Sequence, residues 1–352
     1  MNRKLAIALL VFANVLWGSS YVVAKVALQE VSPPLLGALR VTLASAILWP
    51  FLIWRARASV TRQPADRADD GPWTIDDMGV VHRLSSIVPA GKRARRLIEP
   101  MPLGDALRLA GLGLLGVGAS YLLDYWGIRL STATDASLMI IGEVIFTALL
   151  AALLAGERLE FRKRAGVLVG VAGVLILVLG NAPVGEHAAA GWARAIGDGL
   201  ILACLLCESI YTVLGAGLAR RYQPLTVLTL ANTGSLLIWL PILIWYAATG
   251  RFPALSLAAI AGIAYLAAIT SALCYLIWFS VLRAAGSSIG AVSLFVQPLV
   301  GSLLGLALLG DPLTAALLAG AALIFIALYL MTVPERARVV AGAGVIERGI
   351  KN

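Results

Sequence analysis

The sequence predicts an all-α membrane protein of ten transmembrane helices, arranged as two five-helix repeats of opposite orientation. Three observations lead to this fold class. Hydrophobic residues make up 60% of the 352-residue chain, and charged residues only 13%. Five stretches of 21 to 31 residues contain no Asp, Glu, Lys or Arg, which is long enough for a helix to span a bilayer. Several Pro, Trp, Arg and Gly residues of the first half also recur at two constant spacings in the second half.

The apolar composition argues against a soluble protein, because a soluble domain of this size keeps a largely polar exterior. A membrane β-barrel would show alternating strands of roughly ten residues, and these stretches do not alternate. Within a bilayer the backbone has to satisfy its own hydrogen bonds, which leaves helices. The predicted spans are 5–25, 34–54, 106–128, 135–156, 165–183, 197–218, 225–247, 257–281, 288–309 and 313–333.

The distribution of basic residues predicts the orientation. With the N-terminus in the cytoplasm, 23 Lys and Arg residues fall in cytoplasmic segments, and only Arg129, Arg194 and Arg251 fall on the opposite side. By the positive-inside rule, we expect both termini to be cytoplasmic in a bacterial-type inner membrane. The net charge of +9 comes from the basic residues of these cytoplasmic segments. They lie beside the lipid bilayer, so no nucleic-acid partner is predicted.

An internal repeat supports the division into two halves. At an offset of 190, Pro34 falls on Pro224 and Trp49 on Trp239. At an offset of 154, the matched pairs are Arg129 with Arg283, Gly156 with Gly310, and Gly166 with Gly320. Matches at Pro, Trp, Arg and Gly are informative in a chain where apolar matches are common. Each half has five helices, and an odd number inverts the second half relative to the first.

The two offsets differ by 36 residues, which predicts an insertion in the first half. It corresponds to a cytoplasmic loop at about 55–104, rich in Arg, Asp, Pro and Ser. The predicted domains are therefore a first repeat over 1–183 that contains this insertion, a second repeat over 194–333, and a cytoplasmic tail over 334–352.

Several segments together resemble the EamA family of the drug/metabolite transporter superfamily. They are Trp-Gly-Ser-Ser-Tyr at 17–21, Pro-Pro at 33–34, Ala-Leu-Arg at 38–40, Glu143 to Leu150 leading to Gly-Glu at 156–157, and Gln-Pro-Leu-Val at 297–300 leading to Gly-Asp-Pro at 310–312. The sequence departs from the family pattern in its long insertion and at Val144, where the family usually has Pro. The second departure predicts a softened break in helix four.

The resemblance implies a ten-helix fold with a central cavity, alternating access and, often, export of amino acids or other metabolites. The function expected is therefore secondary transport of a small-molecule substrate, with a passive channel or a multidrug or cation exporter as the alternative. A membrane-embedded enzyme is disfavoured. Both histidines, His82 and His187, fall in predicted loops, so we predict no catalytic residues, no metal site and no cofactor.

Four charged residues within the predicted helices are candidate site residues, because a charge in the hydrocarbon region costs at least ~2.5–3.5 kcal/mol. Glu143 and Glu208 lie near the middles of helices four and six, and are candidates for proton coupling. The alternative for Glu143 is a structural hydrogen bond to a neighbouring helix. Asp124 and Arg40 lie nearer the outer ends of helices three and two, where they could form an ion pair that acts as a gate or as a structural bridge.

None of these charges recurs in the other repeat, since Glu143 corresponds to Gln297 and Glu208 to Gly18. This asymmetry is expected where a symmetric scaffold holds an asymmetric substrate. Aromatic side chains on the same helices complete the predicted cavity, because they could stack on a cationic or aromatic substrate. The cavity residues are Trp17, Tyr21, Tyr121, Glu143, Glu208, Tyr211, Tyr275, Trp278 and Gln297.

Other tryptophans and glycines are assigned structural roles. Trp49, Trp54, Trp239 and Trp245 are expected in the interfacial belts of the membrane. Glycine pairs four residues apart are expected to allow close helix contact, although they would also suit contacts in a homodimer; the pairs are Gly166 with Gly170, Gly286 with Gly290, and Gly301 with Gly305.

Overall fold

The computed structural model describes residues 3–60, 101–155, 161–180, 188–285, 293 and 295–332. Over these residues the chain is helical apart from short turns, with no strand, which confirms the predicted all-α class. Most of the predicted insertion and the tail lie outside the described residues. The α-helices are α1 Arg3–Ala27, α2 Pro33–Val60, α3 Leu103–Gly113, α4 Ser120–Leu130, α5 Ala133–Leu138, α6 Ile141–Ala155, α7 Phe161–Gly180, α8 Ala188–Arg221, α9 Pro224–Ala248, α10 Leu257–Ala264, α11 Cys274–Ala285, α12 Val296–Leu304 and α13 Ala315–Thr332.

Eight helical segments of the described part are long and apolar enough to cross a membrane. They correspond in order to the first eight predicted spans. Two shorter apolar segments follow, Val296–Leu309 and Ala315–Met331, where the ninth and tenth spans are predicted. We call the end of the bundle where α1 begins the N-terminal end, and the other end the opposite end.

The surface of the bundle is largely apolar, and its interior holds polar side chains beside an apolar core. Leu153, Leu168 and Leu237 each expose more than 70% of their surface. In contrast, Ser209 and Thr229 are fully buried. The Thr229 hydroxyl donates a hydrogen bond to the Leu225 carbonyl oxygen of its own helix at 2.8 Å. This distribution is suited to a lipid environment.

Glycines set the closest helix contacts. A Cβ added to Gly113 of α3 would lie 2.0 Å from the Ala231 carbonyl oxygen of α9. On the other side of the bundle, α7 packs against α13, and a Cβ added to Gly173 would lie 3.1 Å from the Gly320 carbonyl oxygen. At both crossings the two backbones are too close for a larger residue, as is common between membrane helices.

Two of the predicted glycine pairs are confirmed as helix contacts. Gly166 and Gly170 face Met331 and Ala327 of α13, and Gly301 and Gly305 face Ser137 and Thr134 of α5. The third pair, Gly286 and Gly290, lies outside the described residues.

The prediction of an interfacial position for Trp239 is wrong. Trp239 is fully buried, and its ring lies where a Cβ on Gly37 of α2 would be, 2.3 Å away. The absence of a side chain at Gly37 makes room for the indole between α2 and α9. Trp49, Trp54 and Trp245 are exposed, by 37%, 63% and 48% respectively.

Within the described residues, three segments of π-helix interrupt the spans, at Leu114–Ala119, Tyr265–Leu273 and Gly305–Leu309. The first joins α3 to α4 and the second joins α10 to α11. The fourth predicted span, 135–156, is also broken by a turn at Met139 and Ile140, between α5 and α6. The break is present despite Val144, which lies four residues after it. Such π segments widen a helix locally and frequently occur at functional sites.

The α3–α9 contact yields a matched pair of substitutions. Gly113→Ala should lower the free energy of unfolding by about 1–3 kcal/mol, because the new methyl group overlaps the Ala231 backbone. Gly111→Ala, two residues earlier, meets nothing within 4 Å and should raise it by roughly 0.5–1 kcal/mol through helix propensity. Thermal unfolding in detergent measures both; equal stability of the two variants would contradict the contact.

Candidate functional site

An aromatic cluster joins α1 to α11. The Trp17 ring of α1 packs edge-on against Tyr275, with ring centroids 5.1 Å apart, and against Trp278, at 5.6 Å. The Trp17 indole also donates a hydrogen bond to the Thr270 carbonyl oxygen at 3.1 Å. The structure therefore brings together three of the predicted aromatic residues from two helices that are distant in sequence.

Arg40 of α2 is held in a cage of hydroxyl groups. Its Nε donates to Ser271 Oγ at 2.7 Å and its two terminal nitrogens donate to the Tyr125 hydroxyl at 2.7 Å and to Thr270 Oγ1 at 3.1 Å. Its guanidinium carbon lies 4.3 Å from the centroid of the Tyr121 ring. Arg40 is only 7% exposed, so this buried charge is stabilised by neutral dipoles and an aromatic face.

The predicted ion pair between Arg40 and Asp124 is not among the ion pairs of the described residues. The reason is local geometry. Tyr125 follows Asp124 directly on α4, so the two side chains point about 100° apart around the helix axis, and Tyr125 takes the position beside the guanidinium. Asp124 still interacts electrostatically with Arg40, over more than ion-pair distance.

Three carboxylates from three helices lie in the same region as Arg40. Glu208 of α8 interacts electrostatically with Glu143 of α6, with Asp124 of α4 and with Arg40, and it accepts a hydrogen bond from the Cys204 thiol. All three carboxylates lie deep among protein atoms, yet each keeps part of its surface accessible. The predicted central cavity would account for this combination of deep position and partial accessibility.

Tyr21 and Gln297 border the carboxylates. Gln297 of α12 lies 3.5 Å from the Tyr21 hydroxyl, at the long limit of a hydrogen bond, and Tyr21 interacts electrostatically with Asp124, Glu143 and Glu208. The approach of α1 to α12 depends on Gly18, where an added Cβ would lie 2.6 Å from the Gln297 carbonyl oxygen.

Tyr211 is the remaining predicted residue, and it lies against the first π segment. Its Cβ is 2.4 Å from the position of a Cβ on Gly116, and it interacts electrostatically with Tyr121. The eleven residues predicted for the cavity and the gate thus surround one region. Their roles stay predictions.

Three residues of the site are not predicted from the sequence, namely Tyr125, Thr270 and Ser271. A signal for two of them exists. Thr270 and Ser271 are adjacent hydroxyl residues within the charge-free run 252–282, and they fall in the π segment Tyr265–Leu273. Tyr125 directly follows Asp124, which is a predicted site residue. Its role depends on Arg40 of the neighbouring helix α2.

A second polar cluster lies at the opposite end of the bundle. Lys25 of α1 donates to the carbonyl oxygens of Ile128 at 2.6 Å and Arg129 at 3.1 Å, and also to that of Ser131. These carbonyls end α4, so the ammonium caps that helix and complements its dipole.

Two buried aspartates extend this cluster to α8. Asp135 of α5 forms an ion pair with Arg194, with 2.5 Å between Oδ2 and a terminal nitrogen. Ser131 donates a hydrogen bond to Asp198. One oxygen of each aspartate, Asp135 Oδ1 and Asp198 Oδ2, is buried without a hydrogen-bond partner within the described structure.

The cluster also reaches the segment before α13. The Asp311 carboxylate accepts hydrogen bonds from the backbone N–H of Thr134 at 2.9 Å and from its hydroxyl at 2.7 Å. Nearby, Glu30 accepts hydrogen bonds from Ser256 N at 2.8 Å and Ser256 Oγ at 2.6 Å, and these bonds lower the pKa of Glu30. Side chains from both halves of the chain therefore hold this end together.

Comparison with known proteins identifies the family. The EamA-like transporter family matches residues 4–68, 84–179 and 195–333. The chain belongs to the EamA-like transporter family. This confirms the family resemblance and identifies the chain as a multi-pass membrane protein of a transporter family.

The relatives that match include proteins named for efflux. A probable amino-acid metabolite efflux pump of Salmonella typhimurium is 27% identical over 96% of this chain and 98% of its own length. A probable terminal-alkyne amino-acid exporter of Streptantibioticus cattleyicolor is 28% identical over 62% of this chain and 70% of its own. An uncharacterised transporter of Archaeoglobus fulgidus is 27% identical over 85% and 87%.

A solved crystal structure shares the fold. It is 20% identical to this chain, with a TM-score of 0.56, over 94% of this chain and 98% of its own length. At this identity the likeness concerns the fold alone.

Replacement of Arg40 tests the hydroxyl cage. Arg40→Gln removes three interhelical hydrogen bonds, each worth about 0.6 kcal/mol in a membrane protein, so the free energy of unfolding should fall by about 2 kcal/mol. The control is Arg164→Gln, at an exposed position of α7, which should change it by less than about 0.5 kcal/mol. Denaturation in mixed micelles gives both values, and an equal effect of the two substitutions would contradict the cage.

Proposed function

We propose that this protein is a secondary transporter that moves a small metabolite, an amino acid or a related compound, out across a bacterial-type inner membrane by alternating access. The observation that carries the proposal is the internal cluster of Arg40 with Asp124, Glu143 and Glu208, in a chain of the EamA-like transporter family. The names of two relatives, an amino-acid metabolite efflux pump and an amino-acid exporter, support both the substrate class and the direction.

The proposed scaffold is two inverted repeats of five helices, with both termini in the cytoplasm. The π segments support it, because Leu114–Ala119 moved by the repeat offset of 154 becomes 268–273, within the π segment Tyr265–Leu273. The family match is also interrupted inside the predicted insertion and between the predicted halves.

The site chemistry is suited to a zwitterion. A guanidinium has five N–H donors, and the hydroxyl cage of Arg40 uses three of them, which leaves two for a substrate carboxylate. The three carboxylates and the Trp17, Tyr275 and Trp278 rings would receive an ammonium group and an apolar side chain. Glu143 and Glu208 are the proposed proton-coupling groups.

Alternating access requires that one end of the cavity is closed while the other is open. The proposed outer gate is the polar cluster at the opposite end, where Lys25 joins α1 to the end of α4 and the ion pair of Asp135 with Arg194 joins α5 to α8. Opening would exchange these contacts for water, which costs less than exposing apolar surface because every group involved is polar.

One observation favours a second candidate, a cation exporter. The cluster holds three carboxylates against one guanidinium, and that guanidinium is already bonded to hydroxyls. Such a site would also bind a cation without a carboxylate of its own. The names of the relatives support transport rather than catalysis for either candidate.

A flux assay in proteoliposomes tests the proposal. The purified protein should carry at least one compound from a panel of amino acids, amines and lipophilic cations faster than empty liposomes do. Glu208→Gln and Glu143→Gln should each reduce that flux by about tenfold or flatten its pH dependence, because a neutral amide can neither release a proton nor pair with an ammonium.

The matched control is Glu347→Gln, which changes the same functional group in the predicted cytoplasmic tail and should leave the flux unchanged. A flux that neither midplane substitution alters contradicts the role of the carboxylates. A protein that carries no compound of the panel contradicts the assigned substrate class.

A further inference from the structure

A groove of about 490 Å³ opens on the outer surface between α3 and α8, near the N-terminal end of the bundle. Leu112, Leu214 and Leu218 form its walls. Gly111 and Gly217 lie along it, and a Cβ added to either would meet nothing within 4 Å. The groove is therefore an open apolar channel in the part of the surface that faces lipid.

Two arginines stand at the mouth of the groove. Arg108 is exposed, and no ion pair of its own occurs among the residues that the structure describes. Arg221 keeps 57% of its side chain exposed and lies 3.7 Å from Asp105 Oδ2. Asp105 also accepts a hydrogen bond from the Tyr222 hydroxyl at 2.7 Å. With one carboxylate against two guanidinium groups, the mouth has a net charge of +1.

The charge and the apolar walls follow one another along the helix axis. Arg221 is the last residue of α8, and Leu214 lies seven residues earlier, about 10 Å further into the bundle. The groove thus begins at a helix end, where the headgroups of a bilayer lie, and continues toward the hydrocarbon region.

We propose that this groove binds one anionic phospholipid, with the headgroup phosphate between Arg108 and Arg221 and an acyl chain along Leu112, Leu214 and Leu218. Arginine binds phosphate through two parallel N–H donors, and anionic lipids are bound by basic groups at the cytoplasmic surface. An apolar helix of a partner protein fits less well, because its backbone carries no anion to pair with the arginines.

The position gives such a lipid a structural consequence that is independent of the transported substrate. Helix α3 continues through the π segment Leu114–Ala119 into α4, which carries Asp124. Helix α8 carries Glu208, ten residues before Leu218. A lipid wedged between α3 and α8 would therefore hold together two of the helices that form the internal cluster.

Native mass spectrometry of the full-length protein in detergent tests the proposal. Phosphatidylglycerol should bind more tightly than phosphatidylcholine with the same acyl chains. Arg108→Gln and Arg221→Gln should each weaken phosphatidylglycerol binding about fivefold, the effect of about 1 kcal/mol per basic residue. Gly217→Leu should weaken both lipids because its side chain fills the groove. Elution as a single species shows that each variant is folded.

The control is Arg164→Gln, which removes a basic residue at the same end of the bundle from α7 and should leave binding unchanged. An equal loss in this control would show diffuse surface attraction and overturn the proposal. So would displacement of the lipid by an equal concentration of glycerol 3-phosphate, which would indicate a phosphate site without a lipid groove. Binding that Gly217→Leu leaves unchanged would overturn it as well.

Discussion

The structure depends on how Arg40 is held inside an apolar protein. A charge in the hydrocarbon region of a membrane is costly unless polar groups surround it. Here the polar groups are three hydroxyls and one aromatic face, from Tyr121, Tyr125, Thr270 and Ser271. Because these residues belong to α4 and to the π segment after α10, the arginine of α2 joins three parts of the bundle. The three carboxylates are then placed around a charge that is already stabilised.

Close backbone contacts make this arrangement rigid. Gly18 lets α1 approach α12 beside Gln297, and Gly113 lets α3 approach α9. The opposite end combines a close backbone contact with polar contacts, since Gly127 of α4 meets Gly197 of α8, and Lys25, Asp135 and Asp311 bind through hydrogen bonds and an ion pair. Polar groups can exchange partners with water. The proposed gate therefore consists of these polar contacts.

Sequence patterns predicted the helices because the lengths of the apolar runs are set by the bilayer, whatever the partners of each helix. They also predicted Glu143, Glu208 and Arg40 as site candidates, because a charge stands out in an apolar run. Contacts between helices were predicted less well. The ion pair of Arg40 with Asp124 is not among the ion pairs of the described residues, because rotation around α4 places Tyr125 at the guanidinium.

The position of Trp239 was wrong because a glycine on α2 makes space for its ring. The cluster of Lys25, Asp198 and Ser131 was not predicted, since Lys25 and Ser131 are 106 residues apart in the sequence and share no periodic pattern. Hydroxyl groups such as Thr270 carry only a weak signal in a membrane helix, where most of them bond to the preceding turn. Their role becomes visible only when a charge from another helix lies beside them.

In the proposed mechanism, Glu208 faces an internal cavity that water reaches from one end of the bundle while the opposite end is closed. The direct measurement is labelling of Glu208→Cys by a charged, membrane-impermeant thiol reagent, with Cys204, Cys207 and Cys274 replaced. We expect reaction from the side of the N-terminus, slower reaction from the other side, and none at the lipid-facing control Leu206→Cys, whose native side chain is 38% exposed. Absence of labelling from both sides, or equal labelling from both, would contradict the account.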